Sequence, residues 1–178
     1  TPDGAHVWRP FAPVSTITVD IDRPGWQWNG HGYFDANFGT RALEADFSYW
    51  TWGRFPTASG ATCFYDATRR DGTELSAGVS FGHDGTAKTV ALPPKAPVRR
   101  SAWLVRRETR SDDGYAPKQT LSMLDAPFYC RSVVRTQLEG VETDGVHEAR
   151  DLDRFRGPLL MPMLAVRVPR RPGWRFAD

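Results

Sequence analysis

Between closely spaced glycines and prolines, short segments of this chain read as strands, and one of them alternates apolar and polar residues with the period of two that gives one wet and one dry face. In residues 15–21, Ile17, Val19 and Ile21 alternate with Thr16, Thr18 and Asp20. Residues 47–52 (FSYWTW) are almost wholly aromatic or β-branched. Further strands are predicted over 61–68, 73–81, 101–109, 118–124 and 128–138, each bounded by turn residues. Asp-Gly pairs at 71–72, 84–85 and 113–114 supply hairpin turns. The stretch 92–98 (LPPKAPV) reads as an extended connection, and 146–155 (VHEARDLDRF) as either a short helix or a last polar strand. Many short strands with frequent turns predict an all-β antiparallel barrel or sandwich. A barrel of about eight strands encloses room for one small apolar ligand. Aromatic strands could line such a cavity or simply fill an ordinary core.

Composition narrows the picture. The chain has 178 residues, a formal charge of +2 and 12% aromatic residues. That charge balance argues against a polybasic nucleic-acid binder. Cys63 and Cys130 are too few for a disulfide scaffold, although they could pair. No apolar run is long enough to span a membrane, and no signal peptide opens the sequence. The chain starts at Thr1, which suggests a processed product or a fragment.

Candidate chemistry concentrates in residues 26–54, WQWNGHGYFDANFGTRALEADFSYWTWGR. In an extended 32–37, Tyr33, Asp35 and Asn37 share one face and Phe34 and Ala36 the other. Turning Tyr, Asp and Asn toward an aromatic cavity is costly unless they are hydrogen-bonded or used in chemistry. His6 and Trp8 also point one way, two residues apart. The blander alternative makes Asp35 and Asn37 turn formers beside glycines and Trp8 a plug at a barrel end. Four scattered histidines and two distant cysteines give no metal-binding spacing, and no nucleophile-elbow or nucleotide-binding glycine motif occurs. Cofactor-free acid–base chemistry or plain ligand binding is what remains.

Four segments in order, GHGYFDANFG, FSYWTWGRF, FYDATRRDG and DAPFYCRSVV, resemble the carotenoid 1,2-hydratase (hydroxyneurosporene synthase) family, and the likeness continues through VHEARDLDRFRGPLLMPMLAVRVPRR. The resemblance implies a lipocalin-like (calycin) barrel with an aromatic-lined cavity. Residues 1–13 would be a joining segment and 14–178 the C-terminal lipocalin-like half, with an N-terminal half of the family protein missing. It implies hydration of the terminal 1,2 double bond of acyclic carotenoids of the neurosporene and lycopene type, with no metal or organic cofactor, in a bacterium. The family's acid–aromatic motif falls on Tyr33 and Asp35, and its upstream pair on His6 and Trp8. Many relatives carry an aspartate and a serine where Thr51 and Gly53 stand, a departure expected to alter the substrate or the polarity of the pocket.

Under that resemblance, Asp35 is the proton donor to C2. An exposed aspartate with a pKa of about 3.9 would be ionised, so burial among aromatics is expected to keep it protonated. A tertiary cation at C1 would be stabilised by Trp8 and Tyr33, with Trp50 and Trp52 behind them. His6 suits the group that takes the proton of the attacking water, while Tyr33 could orient Asp35 or the water. Asn37, Phe38, Trp50 and Trp52 are the expected substrate-binding residues. So apolar a substrate implies work at a membrane surface, peripherally on the cytoplasmic side. Residues 158–168, followed by Arg170, Arg171 and Trp174, could dock there. Two other readings stay open: a proton-initiated cyclase or isomerase of polyenes or terpenoids, and a non-catalytic lipocalin-like domain that binds a lipophile.

Overall fold

The computed structural model describes residues 1–158 and residue 160. The chain opens with two long strands, β1 (His6–Ile21) and β2 (Trp26–Gly39), paired antiparallel as a two-stranded ribbon. Strand β1 crosses the expected boundary between residues 13 and 14 without a break, apart from irregular register around Pro10–Ser15. A helical turn, α1 (Leu43–Asp46), leads into β3 (Phe47–Thr57), β4 (Gly60–Arg69), β5 (Glu74–Gly82) and β6 (Ala87–Thr89). Strands β7 (Lys95–Val98) and β8 (Arg107–Arg110) form a second small ribbon, and β9 (Lys118–Ala126), β10 (Tyr129–Leu138), β11 (Val141–Asp151) and α2 (Leu152–Phe155) follow.

Seven strands join in one antiparallel sheet in the order β6-β5-β4-β3-β11-β10-β9. The all-β antiparallel expectation holds, but the sheet is open. Among the described residues β6 and β9 are its two edges, and no hydrogen bonding closes them into the expected barrel. Most predicted strands appear. The segment 101–109 is mainly loop, with only its end in β8, because Ser101 Oγ accepts from the amides of Trp103 and Val105 and turns the chain there. The stretch 146–155 contains both alternatives, the end of β11 and then α2, whose first turn is capped by the Asp151 carboxylate accepting from Arg154 N at 2.9 Å. Glu139 and Gly140, both at positive φ, make the two-residue turn between β10 and β11.

The register sorts the sheet's side chains onto two faces. Trp50, Trp52 and Arg54 of β3 share one face with Cys63, Tyr65 and Ala67 of β4, Val146, Glu148 and Arg150 of β11, and Tyr129 and Arg131 of β10. The β1–β2 ribbon lies over this inner face through Trp8, Val14 and Tyr33. The opposite face carries Phe55 and Phe64 in one cluster and Cys130 and Ala149 in another, the latter covered by Val105. The two cysteines lie on opposite faces and are free thiols, so the possible disulfide does not form.

Strand β8 and Arg106 just before it are fastened across the back of the sheet by their own carbonyls. Tyr49 donates to Arg106 O at 2.9 Å, His147 Nε2 to Glu108 O at 2.8 Å, and Thr136 Oγ1 to Arg110 O at 2.9 Å. His147 carries the proton it donates on Nε2, while its Nδ1 is buried with no partner among the described residues. Full burial pushes its pKa from 6.5 down to about 4. In the unfolded chain this histidine takes up a proton below about pH 6.5, whereas the folded chain resists until about pH 4, so stability is full above that window and falls as pH drops through it. At 1.36 kcal/mol per unit the loss is about 3 kcal/mol. His147→Gln, which keeps a donor near Nε2 but does not titrate, is expected to flatten the dependence of the urea midpoint between pH 6.5 and 4. An unchanged slope would assign the acid sensitivity to other groups.

Candidate active site

Because β2 is extended, alternate side chains turn the same way, and Tyr33, Asp35 and Asn37 all line a cavity of about 530 Å³ between the ribbon and the inner face of the sheet. The antiparallel register sets Trp8 opposite Asn37, which brings its indole to the same acid. Trp8 Nε1 donates to Asp35 Oδ2 at 2.8 Å and lies 3.0 Å from the Tyr33 hydroxyl, which itself donates to Asp35 Oδ2 at 2.8 Å. The half-buried carboxyl is thus held by two neutral donors on a single oxygen. Burial pushes the Tyr33 phenol well above its usual range, and its bond to Asp35 pushes the same way, so Tyr33 stays protonated and donating.

Packing fixes this triad. The Tyr33 ring lies 5.0 Å from Trp52, and Trp8 packs on Tyr65 and Phe81 at 6.0 and 6.4 Å. Arg54 is buried, sets its guanidinium 5.7 Å from the Tyr33 ring and donates from Nε to Pro13 O at 2.7 Å, tying the ribbon to the sheet. Trp50 stacks on Tyr65 at 5.7 Å. Trp50 and Trp52 are buried and line the cavity, and their indole N–H groups have no hydrogen-bond partner among the described residues.

An adjoining cavity of about 560 Å³ is lined by His6, Trp8, Asn37 and Phe38 together with Phe47 and Leu75. Asn37, Leu43 and Tyr65 border both spaces. His6 therefore shares a wall with Trp8, but its Nε2 bonds Asp46 Oδ2 at 2.6 Å and its ring packs edge-on to Phe47. The Asp46 carboxyl is held below its usual range first by that bond and then by Arg41. All eight residues expected from the sequence thus surround these two cavities.

The sequence reading missed the opposite wall. Tyr65, Tyr129, Arg131, Glu148 and Arg150 project from β4, β10 and β11 into the same space as Asp35. Two of the quoted motifs contain Tyr65, Tyr129 and Arg131, but only the β3–β11 register, with Glu148 opposite Trp52 and Arg150 opposite Trp50, turns the polar strand end toward the acid. Thr51 and Gly53 fall on the other face, away from Asp35, so their departure does not set this cavity's polarity. A side chain at Gly53 would instead stand 2.7 Å from the Phe55 ring. Among the described residues no group of three metal-ligating side chains gathers, and no helix is long and apolar enough to cross a membrane. The expected docking segment 158–168 lies outside the described residues except for Pro158 and Leu160.

The cleft is walled by tryptophan and tyrosine, and its one carboxyl at the ribbon is held by an indole and a phenol. The family model described as carotenoid hydratase CrtC matches residues 1–177, and the chain belongs to that family. It is 63% identical over 175 residues to the acyclic carotenoid 1,2-hydratase of Cereibacter sphaeroides, covering 98% of this chain and 62% of that protein. Identity to the enzyme of the same name from Rhodobacter capsulatus is 57% over 179 residues, covering 100% of this chain and 63% of the relative. With the Thiocapsa roseopersicina protein it is 39%, covering 97% and 43%. The chain thus spans a little under two thirds of the length of the first two relatives. No solved structure matches it.

Proposed function

We propose that this chain carries the acid–base site of an acyclic carotenoid 1,2-hydratase, which adds water across the terminal 1,2 double bond of a neurosporene- or lycopene-type polyene to give the 1-hydroxy derivative, with no cofactor. The observation that carries the reading is the Asp35 carboxyl, held by Trp8 and Tyr33 inside an aromatic cleft. With Oδ2 accepting both bonds, Oδ1 is the oxygen left to face C2 of the alkene and deliver the proton. Its transfer leaves a tertiary cation at C1. Desolvated aromatic faces stabilise such a cation by about 2 kcal/mol each, and Trp8, Tyr33, Trp50 and Trp52 offer them. Tyr33 holds the carboxyl in register throughout. Asn37 and Phe38 guide the polyene from one cavity to the next. His6, held by Asp46, lines the adjoining cavity beside Trp8 and Asn37.

A polyene partitions into lipid, so we place the enzyme peripherally at the cytoplasmic membrane surface. The further length present in the relatives would cover the open cleft and complete a lipocalin-like enclosure. The test is incubation of the chain with lycopene in lipid vesicles in ¹⁸O-labelled water, with and without the extra segment of a relative. The expected product is the 1-hydroxy compound carrying the label. An unlabelled, cyclised or isomerised product would transfer the site to the other proton-initiated chemistry, and binding without turnover in both arms would make it a carrier.

A further inference from the structure

Hydration needs a base as well as an acid, because the water that captures C1 must lose a proton. We propose that Glu148 is that base, placed on the sheet wall of the cleft across from the ribbon that carries Asp35; the assignment rests on the hydratase reading above. Three observations converge on it. Glu148 lines the same cavity as Asp35, Tyr33 and Trp52, whereas His6 lines the adjoining one with its Nε2 already engaged by Asp46. Its carboxylate is not locked in a tight ion pair, since Arg131 Nη1 stands 3.5 Å from Oε1 while the Glu148 side chain is only 17% exposed. Finally, the groups facing it from every wall, Arg131, Arg150, Tyr129, Tyr65, Tyr33 and Asp35, form a polar floor in an otherwise aromatic cleft.

Burial raises the Glu148 pKa, and Arg131 and then a hydrogen bond from Tyr129 oppose that rise. A raised pKa makes the carboxylate a stronger base than an exposed glutamate. The steps balance. Asp35 gives its proton to C2 as the C1–C2 π bond breaks, leaving Asp35 ionised and C1 cationic. Water oxygen bonds to C1 while one of its protons passes to Glu148. That proton then returns to Asp35 through solvent, and the net change is one water added to one alkene. With acid and base on opposite walls, proton and oxygen arrive from opposite sides of the bound double bond.

Glu148→Ala and Glu148→Gln, assayed with lycopene in vesicles beside the unaltered chain, test the assignment. Hydration is expected to fall about 100-fold or more in both, in line with the loss of a general base. Added formate should restore Glu148→Ala at least tenfold by supplying a carboxylate to the emptied space, but not Glu148→Gln, where the amide fills it. Glu148→Asp, which keeps the charge at shorter reach and guards against a folding artefact, is expected to fall between these and the unaltered chain. Hydration by Glu148→Gln within twofold of the unaltered chain would overturn the proposal, and so would a loss that formate does not restore in a folded Glu148→Ala. If the unaltered chain, with the relative's segment added, makes no 1-hydroxy product, the hydratase reading itself has failed and this assignment with it.

Discussion

Asp35→Asn is expected to abolish formation of the 1-hydroxy product while leaving the fold and polyene binding intact. The amide oxygen of asparagine can still accept from Trp8 Nε1 and the Tyr33 hydroxyl, which now meet at 2.8 Å on a single carboxyl oxygen. What asparagine lacks is a proton it can release. General acids typically contribute 10²- to 10⁴-fold, and an isolated alkene has no easier route to a tertiary cation, so a loss of about 10³-fold or more is expected. That corresponds to about 4 kcal/mol of barrier. The thermal midpoint should move little, because the side chain is only half-buried and keeps its shape. Product analysis by chromatography checks the first statement, and quenching of tryptophan fluorescence by bound lycopene checks the second. Turnover of Asp35→Asn equal to that of the unaltered chain would remove Asp35 from the chemistry.

The second large effect concerns stability. On the back of the sheet Asp66 and Arg110 form a buried ion pair, with Arg110 Nε 3.0 Å from Oδ2 and Nη2 against Oδ1. Ser76 Oγ donates to Asp66 at 2.6 Å, and Arg110 Nη1 donates to Pro93 O at 2.8 Å. The pair ties the β7–β8 ribbon to β4 with both side chains nearly out of water. Asp66→Leu leaves the guanidinium buried without its counter-charge, a change that typically costs about 3–5 kcal/mol. Against a total stability of about 5–15 kcal/mol, this is a large share. The double change Asp66→Leu with Arg110→Met removes both charges and is expected to recover most of the loss, because apolar replacement of a buried pair is often neutral or better. Urea titrations of the three proteins check this. Equal destabilisation of the single and double variants would show that the shape of the site, not the unpaired charge, sets the cost.

Much of this molecule can be read from local pattern, and the failures share one physical origin. Period two in β10 reflects one buried face, which carries Cys130, Ser132, Val134, Thr136 and Leu138, whereas the alternation in 15–21 marks a strand whose Ile17 and Ile21 stay exposed, and 61–68 is buried on both faces. Pro10 and Pro13 hid the first half of β1, where an edge position tolerates residues without an amide proton. Sheet closure depends on how the edge strands β6 and β9 meet, which no local pattern encodes, and among the described residues no pairing closes the expected barrel. The site divides in the same way. Tyr33, Asp35 and Asn37 lie on one strand, so their shared face follows from spacing alone. Glu148 and Arg150 join them only through the pairing of β11 with β3, residues almost a hundred positions apart in the chain. His147 and Glu148 illustrate the limit: neighbours in sequence, one serves the back of the sheet and the other the cleft.

The way β8 is held also bears on how this chain can drift over time. Its grip on the sheet comes from three main-chain oxygens, at positions 106, 108 and 110, while the hydroxyls and the imidazole that reach them belong to Tyr49, His147 and Thr136. Every residue type presents the same carbonyl, so the exposed Arg106 can be rewritten freely without releasing the strand. The partners enjoy no such latitude. Among natural variants of this protein, substitutions should therefore accumulate at 106 and be purged at 49, 136 and 147.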